Sequence, residues 1–215
     1  RSVPIALVDV AGLVPGASEG RGRGNAFLAD LANSDVLIQV LDAAGTTDIE
    51  GQFMGTEATL EQAQEAMQAE IDFLQHELDA WIGGLLEDGW SRGVRRVQAE
   101  GEKGLISFIQ ERLSGLGATM NMVNQAMLEF NAEGESTQQP WEWDAAVLHR
   151  LGQTLRGHLF PIAYAANKFD IAPEGVLNGF DQQNMVGCMA DVELALRRAQ
   201  AAELIHYRPG ASSFS

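Results

Sequence analysis

Three short apolar runs, each stopped by a polar side chain, constrain this chain more than any other feature. Val3-Pro4-Ile5-Ala6-Leu7-Val8 ends at Asp9, Val36-Leu37-Ile38-Gln39-Val40-Leu41 ends at Asp42, and Pro161-Ile162-Ala163-Tyr164-Ala165-Ala166 ends at Asn167. Short apolar runs bounded by polar residues read as buried strands. Each leads towards a helical pattern, with a glycine-rich loop from Ala11 to Gly24 after the first and an Asn25-capped helix through Leu31 beyond it. Strands alternating with helices predict an α/β fold with a mostly parallel sheet and flanking helices. Ligands bind such sheets beyond the carboxyl ends of the strands.

The middle of the chain follows a different period. From Thr59 to Leu86 the residues Leu60, Met67, Ile71, Leu74, Leu78, Trp81 and Leu85 recur at three- and four-residue steps, the face of one long helix. Leu105, Ile106, Phe108, Ile109 and Leu113 mark a second helix stopped near Gly115 and Gly117, and Met120 to Phe130 a third. Asn131 to Pro140 reads as a polar loop, and Trp143 to Leu159 as the helix entering the third strand. The expected organisation is an α/β domain over 1–55 and 141–215, with a helical insertion at 56–140.

Hydrophobic residues make up 46% and charged residues 20%, which predicts a soluble globular protein. No apolar run reaches the roughly 20 residues needed to span a bilayer. No signal-peptide pattern opens the sequence, and no membrane partner is expected. Cys188 is the only cysteine, so no internal disulfide can form; this fits a reducing compartment and a cytoplasmic protein. The net charge of −16 repels phosphate backbones, so direct nucleic-acid binding is not expected. Lys103 and Lys168 are the only lysines. Adaptation to high salt and compositional drift in a GC-rich genome both produce such a surface. The start at Arg1, running at once into an apolar stretch, and the open-ended Ser212-Ser213-Phe214-Ser215 read as a fragment cut at both ends.

Two motifs carry chemistry. Asn167-Lys168-Phe169-Asp170 fits Asn-Lys-x-Asp. A carboxylate at Asp170 can accept both the N1 and N2 hydrogens of guanine; adenine offers no such pair and would leave the charge unmet. Asn167 would tie adjacent loops together and help at N7, and the aliphatic stem of Lys168 would lie over the base. A plain solvated turn can present the same four residues. Asp9-Val10-Ala11-Gly12 fits Asp-x-x-Gly. Asp9 there can hold Mg²⁺ through water, and Gly12 lets a backbone N–H approach a γ-phosphate. Each motif follows an apolar run, and the two stand in the right order.

Around these motifs the chain resembles a known family. Asp9 to Gly51 resembles the switch II region of the Obg-related GTPases, closest to the archaeal branch near YchF. The insertion, with Asp72-Phe73-Leu74, Trp81-Ile82 and Gly89-Trp90, is similar to that branch, as is the tail with Glu193-Leu194-Ala195-Leu196-Arg197-Arg198 and Tyr207-Arg208-Pro209-Gly210. The resemblance implies a P-loop NTPase-like fold, binding of GTP and GDP, slow GTP hydrolysis with Mg²⁺, and association with ribosomes or translation. YchF itself prefers ATP and has an altered base-reading motif; the intact Asn167, Lys168 and Asp170 point to GTP.

Three departures from the family pattern matter. The phosphate-binding Gly-x-x-x-x-Gly-Lys-Ser/Thr and the switch I threonine are absent and would precede Arg1, which predicts weak nucleotide binding by these 215 residues alone. The fifth motif, ordinarily Ser-Ala, aligns with Met189-Ala190; the Ala190 N–H can reach guanine O6, but the bracing hydroxyl is gone. Leu13 follows Gly12 where many GTPases place a water-orienting glutamine, so the catalytic residue is unknown. These departures also motivate an alternative, a non-hydrolysing module that docks a partner through its helical insertion. Arg21 and Arg23 can touch phosphate or a partner, or sit in a solvated loop. His76, His149, His158 and His206 show no metal-ligand spacing, and Asp42 and Asp48 read as loop or capping residues.

Overall fold

The computed structural model describes residues 4–10, 31, 34–132, 134, 139–211 and 213–215. It is an α/β protein. β1 (Leu37–Asp42) is followed by α1 (Leu60–Glu100), α2 (Glu102–Arg112), α3 (Met120–Ala132) and α4 (Ala145–Leu159). β2 (Ile162–Asn167), β3 (Met185–Gly187) and α5 (Ala190–Ala201) complete the order. The strands form one sheet in the order β1-β2-β3. β2 and β3 run parallel, with Tyr164 opposite Met185 and Ala166 opposite Gly187. The bonds Leu37 N–H to Pro161 C=O and Ala43 N–H to Asn167 C=O, both 2.9 Å, advance in the same sense along both chains, so β1 and β2 are parallel too.

The chain divides into two compact units. One comprises Arg1–Leu37 and Phe73–Pro161, the other Ile38–Asp72 and Ile162–Ser215, so the boundary falls inside α1. In the sheet-containing unit, the first turns of α1 cover one face of the sheet. Leu41, Ala43, Ala63, Met67, Ile71, Ala166, Val176 and Met185 form its core. Ile38, Val40 and Val186 alternate with the inward residues and are exposed on the opposite face.

The helices are built on local signals and close packing. Thr59 and Gln62 cap α1 reciprocally: the Gln62 N–H donates to Thr59 Oγ1 and the Thr59 N–H to Gln62 Oε1. Asp144 caps α4 by accepting from the Val147 N–H at 3.0 Å. α1 continues past the expected Leu86 to Glu100 and stops at Gly101, whose φ is +63°. Gly83, Gly89 and Gly93 weaken the helical pattern in the sequence, yet each is a packing point. A Cβ on Gly93 would lie 2.7 Å from the Phe108 ring, and one on Gly152 of α4 would lie 2.9 Å from the Gly83 nitrogen. Trp90 stacks on Trp143 with ring centroids 5.8 Å apart, and Phe108 and Phe130 meet that pair edge-on.

The buried stripe of α1 runs through Ala63, Met67, Ile71, Leu78, Ile82 and Leu86, while Leu60 is 41% exposed. The expected face is therefore only partly the buried one, because the helix covers a sheet at one end and packs against helices at the other. The expected strand Val3–Val8 is corrected. Residues 4–10 carry no strand, and Ile5, Leu7 and Val8 are 82%, 79% and 68% exposed. Apolar composition alone does not make a strand; backbone N–H and C=O groups need a ladder partner, and the described residues supply none here. The Asn25-capped helix lies, except for Leu31, outside the described residues. Among the described residues no helix is long and apolar enough to cross a membrane.

Candidate guanine-recognition site

Parallel neighbours end side by side, so the sheet brings Asp42 at the end of β1 to the residues that follow β2. Asp42 is 7% exposed. One carboxylate oxygen accepts from the Ala44 N–H at 3.0 Å. The other accepts from the Thr46 N–H at 3.1 Å, Thr46 Oγ1 at 2.8 Å, Thr47 Oγ1 at 2.7 Å and Lys168 Nζ at 2.7 Å. Burial by itself raises the carboxyl pKa, but the bonds from Lys168, Thr47 and Thr46 outweigh it and hold Asp42 at about 2. Asp42 thus caps its own loop and also pairs with a lysine 126 residues away. Asp48 accepts from the Glu50 and Gln52 N–H groups, as a loop-capping residue does.

Lys168 has a φ of 60°, a left-handed conformation uncommon outside glycine. Its ammonium donates to Thr46 Oγ1 at 2.8 Å as well as to Asp42. Beside it, Asn167 Oδ1 accepts from the Ala190 N–H at 3.0 Å, joining the β2 end to the first residue of α5. Two backbone bonds close the same seam: Phe169 N–H to Cys188 C=O at 3.1 Å and Cys188 N–H to Ala166 C=O at 2.8 Å. The Phe169 ring lies against Gly187, where a Cβ would sit 2.8 Å from it. Asp170 is exposed, and its carboxylate accepts no hydrogen bond among the described residues.

The fold therefore brings Asn167, Lys168, Met189 and Ala190 together, with Asp170 on the same loop. The Ala190 N–H, assigned from the sequence to guanine O6, donates here to Asn167. Asp9 is exposed and belongs to the other unit; Gly12, Leu13, Arg21 and Arg23 lie outside the described residues. The sequence reading missed Asp42 and Thr46 as partners of Lys168, and Thr47 as a partner of Asp42. Only the strand-end position of Asp42 hinted at them. His149 and His158 pair with Glu87 and Glu129, and no cluster of three or more His, Cys, Asp or Glu that could hold a metal forms among the described residues.

Under this network lies Glu70 of α1, whose carboxylate accepts from the Asp42 N–H at 3.4 Å. Its pKa is raised to about 7. Burial dominates; the Asp42 N–H opposes it, the Asp42 charge adds to it and Lys168 offsets part. The folded state therefore keeps a proton that the unfolded chain releases near the ordinary 4.5. Stability contributed this way falls as pH rises from about 4.5 to about 7 and is flat above. Glu70→Gln should remove that slope. Because the group is only partly buried, screening leaves a gain of about 1–2 kcal/mol at pH 8. Urea melts of both proteins at pH 5 and pH 8 measure it, and equal slopes would refute the assignment.

A parallel sheet whose adjoining strand ends hold an Asn-Lys-x-Asp loop against a second loop is the architecture of a nucleotide-binding α/β protein. Comparison with known proteins narrows the class. Residues 165–215 match the family described as Obg-like GTPase YGR210-like, G4 motif-containing domain. The chain is 35% identical over 210 residues to an uncharacterized GTP-binding protein of Methanocaldococcus jannaschii, covering 95% of this chain and 49% of that protein. It is 33% identical over 218 residues to an uncharacterized GTP-binding protein of Schizosaccharomyces pombe, covering 98% and 49%. The crystal structure of a GTP binding protein from Pyrococcus horikoshii OT3 superposes with a TM-score of 0.67 at 33% identity, over 85% of this chain and 51% of that one. Residues 165–215 thus match the G4 motif-containing domain of that family, and the chain is similar to GTP-binding proteins of which it spans about half the length.

Proposed function

We propose that this chain supplies the guanine-reading part of a GTPase that acts as a slow nucleotide-dependent switch. The observation that carries the reading is the loop after β2. Asn167 is fastened to Ala190, Lys168 is fastened to Asp42, and the Asp170 carboxylate is exposed with no protein partner among the described residues. Asp170 accepts N1–H and N2–H of guanine, the Lys168 stem lies along the base, and Met189-Ala190 form its far wall. Gly12 contacts the γ-phosphate. Mg²⁺ would be held by Asp9 through water, neutralising phosphate charge. A cation that keeps its waters and binds through substrate phosphates needs no cage of protein carboxylates, so the exposed Asp9 fits that role. In this reading 1–55 and 141–215 form the GTPase domain, and 56–140 is an insertion available to a partner. A link to ribosomes or translation in the cytoplasm is supported by the family resemblance.

Calorimetry on the full-length protein with Mg²⁺ should show GTP bound at least about tenfold more tightly than ATP. Tighter ATP binding would overturn the guanine assignment. Multiple-turnover release of phosphate from GTP is expected as well; GTP binding without turnover would leave the non-hydrolysing docking module as the correct reading.

A further inference from the structure

We infer that Asp42 is a positioning residue for guanine recognition, which with Thr46 holds the Lys168 ammonium down so that the lysine stem is laid out where the base docks. The inference rests on reading residues 167–170 as the guanine loop. Lys168 adopts a backbone conformation that a non-glycine residue takes only when its surroundings enforce it. The enforcing contacts are on its side chain: Asp42 at 2.7 Å and Thr46 at 2.8 Å. The three groups form a directed set. Thr46 Oγ1 donates to Asp42 while accepting from Lys168, so the hydroxyl is satisfied on both sides.

The carboxylate is more than a loop cap. The Ala44 and Thr46 N–H groups need only oxygen acceptors, not a charge. A buried negative charge at this strand end is stable only with a countercharge, and Lys168 supplies it. The Lys168 side chain is 36% exposed against 6% for Asp42. The ammonium is therefore anchored against the buried carboxylate while part of the side chain stays open for a flat ligand. Without the anchor the long side chain regains its rotamer freedom, and ordering it falls on the binding step.

Calorimetric titration with GDP of the full-length wild type, Asp42→Asn, Lys168→Met and the double variant tests this. Asp42→Asn keeps one of the two acceptor oxygens for the loop and removes the charge. It is expected to bind GDP about tenfold more weakly, Lys168→Met similarly, and the double variant no more weakly than either single one. That non-additivity is what a merely structural role for Asp42 would not produce. A folded Asp42→Asn with wild-type affinity, or losses that multiply in the double variant, would overturn the inference while leaving the guanine reading intact. Failure of the wild type to bind GDP would remove both. If thermal melting shows that Asp42→Asn does not fold, Thr46→Val decides. A loss of about threefold or more is expected, and unchanged affinity overturns the inference.

Discussion

Asp170→Asn is expected to weaken GTP binding by about a thousandfold and to let xanthosine triphosphate bind in its place. The Asp170 carboxylate is exposed on the loop after β2 and meets no donor among the described residues, so its acceptor capacity is open. Guanine offers two adjacent donors, N1–H and N2–H. Two charge-assisted bonds at roughly 1.5–3 kcal/mol each give about 4 kcal/mol, or three orders of magnitude in affinity. Asparagine presents one acceptor and one donor, which matches xanthine, whose O2 replaces the guanine amino group. The fold should be undisturbed, because no bond to another described residue is lost. Competition between the two nucleotides for wild type and variant gives the answer directly. An unchanged preference would remove Asp170 from base recognition.

Gly45→Ala should lower the stability of the sheet-containing unit by about 2–4 kcal/mol. Gly45 sits in the loop that Asp42 caps and has a φ of +63°. An alanine there meets the left-handed penalty of about 1 kcal/mol or more. Its Cβ would also lie 2.9 Å from Ala63 Cα and 3.0 Å from Ala58 Cβ. Ala63 is fully buried in α1, so the obstacle is helix backbone and cannot swing aside; overpacking of this kind costs about 1–3 kcal/mol. Relief requires the loop to lift, and the loop carries Thr46 and Thr47, which bond Asp42. Thermal and urea melts measure the loss. A change below about 0.5 kcal/mol would mean that the loop does not approach α1 as closely as described.

Much of the fold was legible because it rests on local rules. Two of the three apolar runs are strands, displaced by one residue at their starts: β1 from Leu37 and β2 from Ile162. The helices α2, α3 and α4 follow their apolar periods, and Thr59 and Asp144 are where capping chemistry puts a helix start. The misses share one cause. Val3–Val8 has the composition of a strand, but composition does not supply the neighbour that a strand requires. β3 has only three residues, too few to show a period, and exists through its pairing with β2. Glycines weaken an isolated helix, and the sequence shows no reason for those in α1; His149 of α4 packs against Gly83, and Arg112 and Phe108 of α2 against Gly89 and Gly93.

The sequence by itself determined the chemical groups on offer: an amide at Asn167, a cation at Lys168 and a carboxylate at Asp170, consecutive on one loop after one strand. Their order and spacing are local, so a linear reading suffices. What only the tertiary structure decided is how those groups are held. Asn167 finds Ala190 through the β2–β3 pairing, and Lys168 finds Asp42 through the β1–β2 pairing. Between Asp42 and Lys168 lie α1 to α4, and no period or motif spans that distance. A parallel sheet makes the two strand ends adjacent, and burial of the Asp42 carboxylate then makes it depend on the Lys168 countercharge.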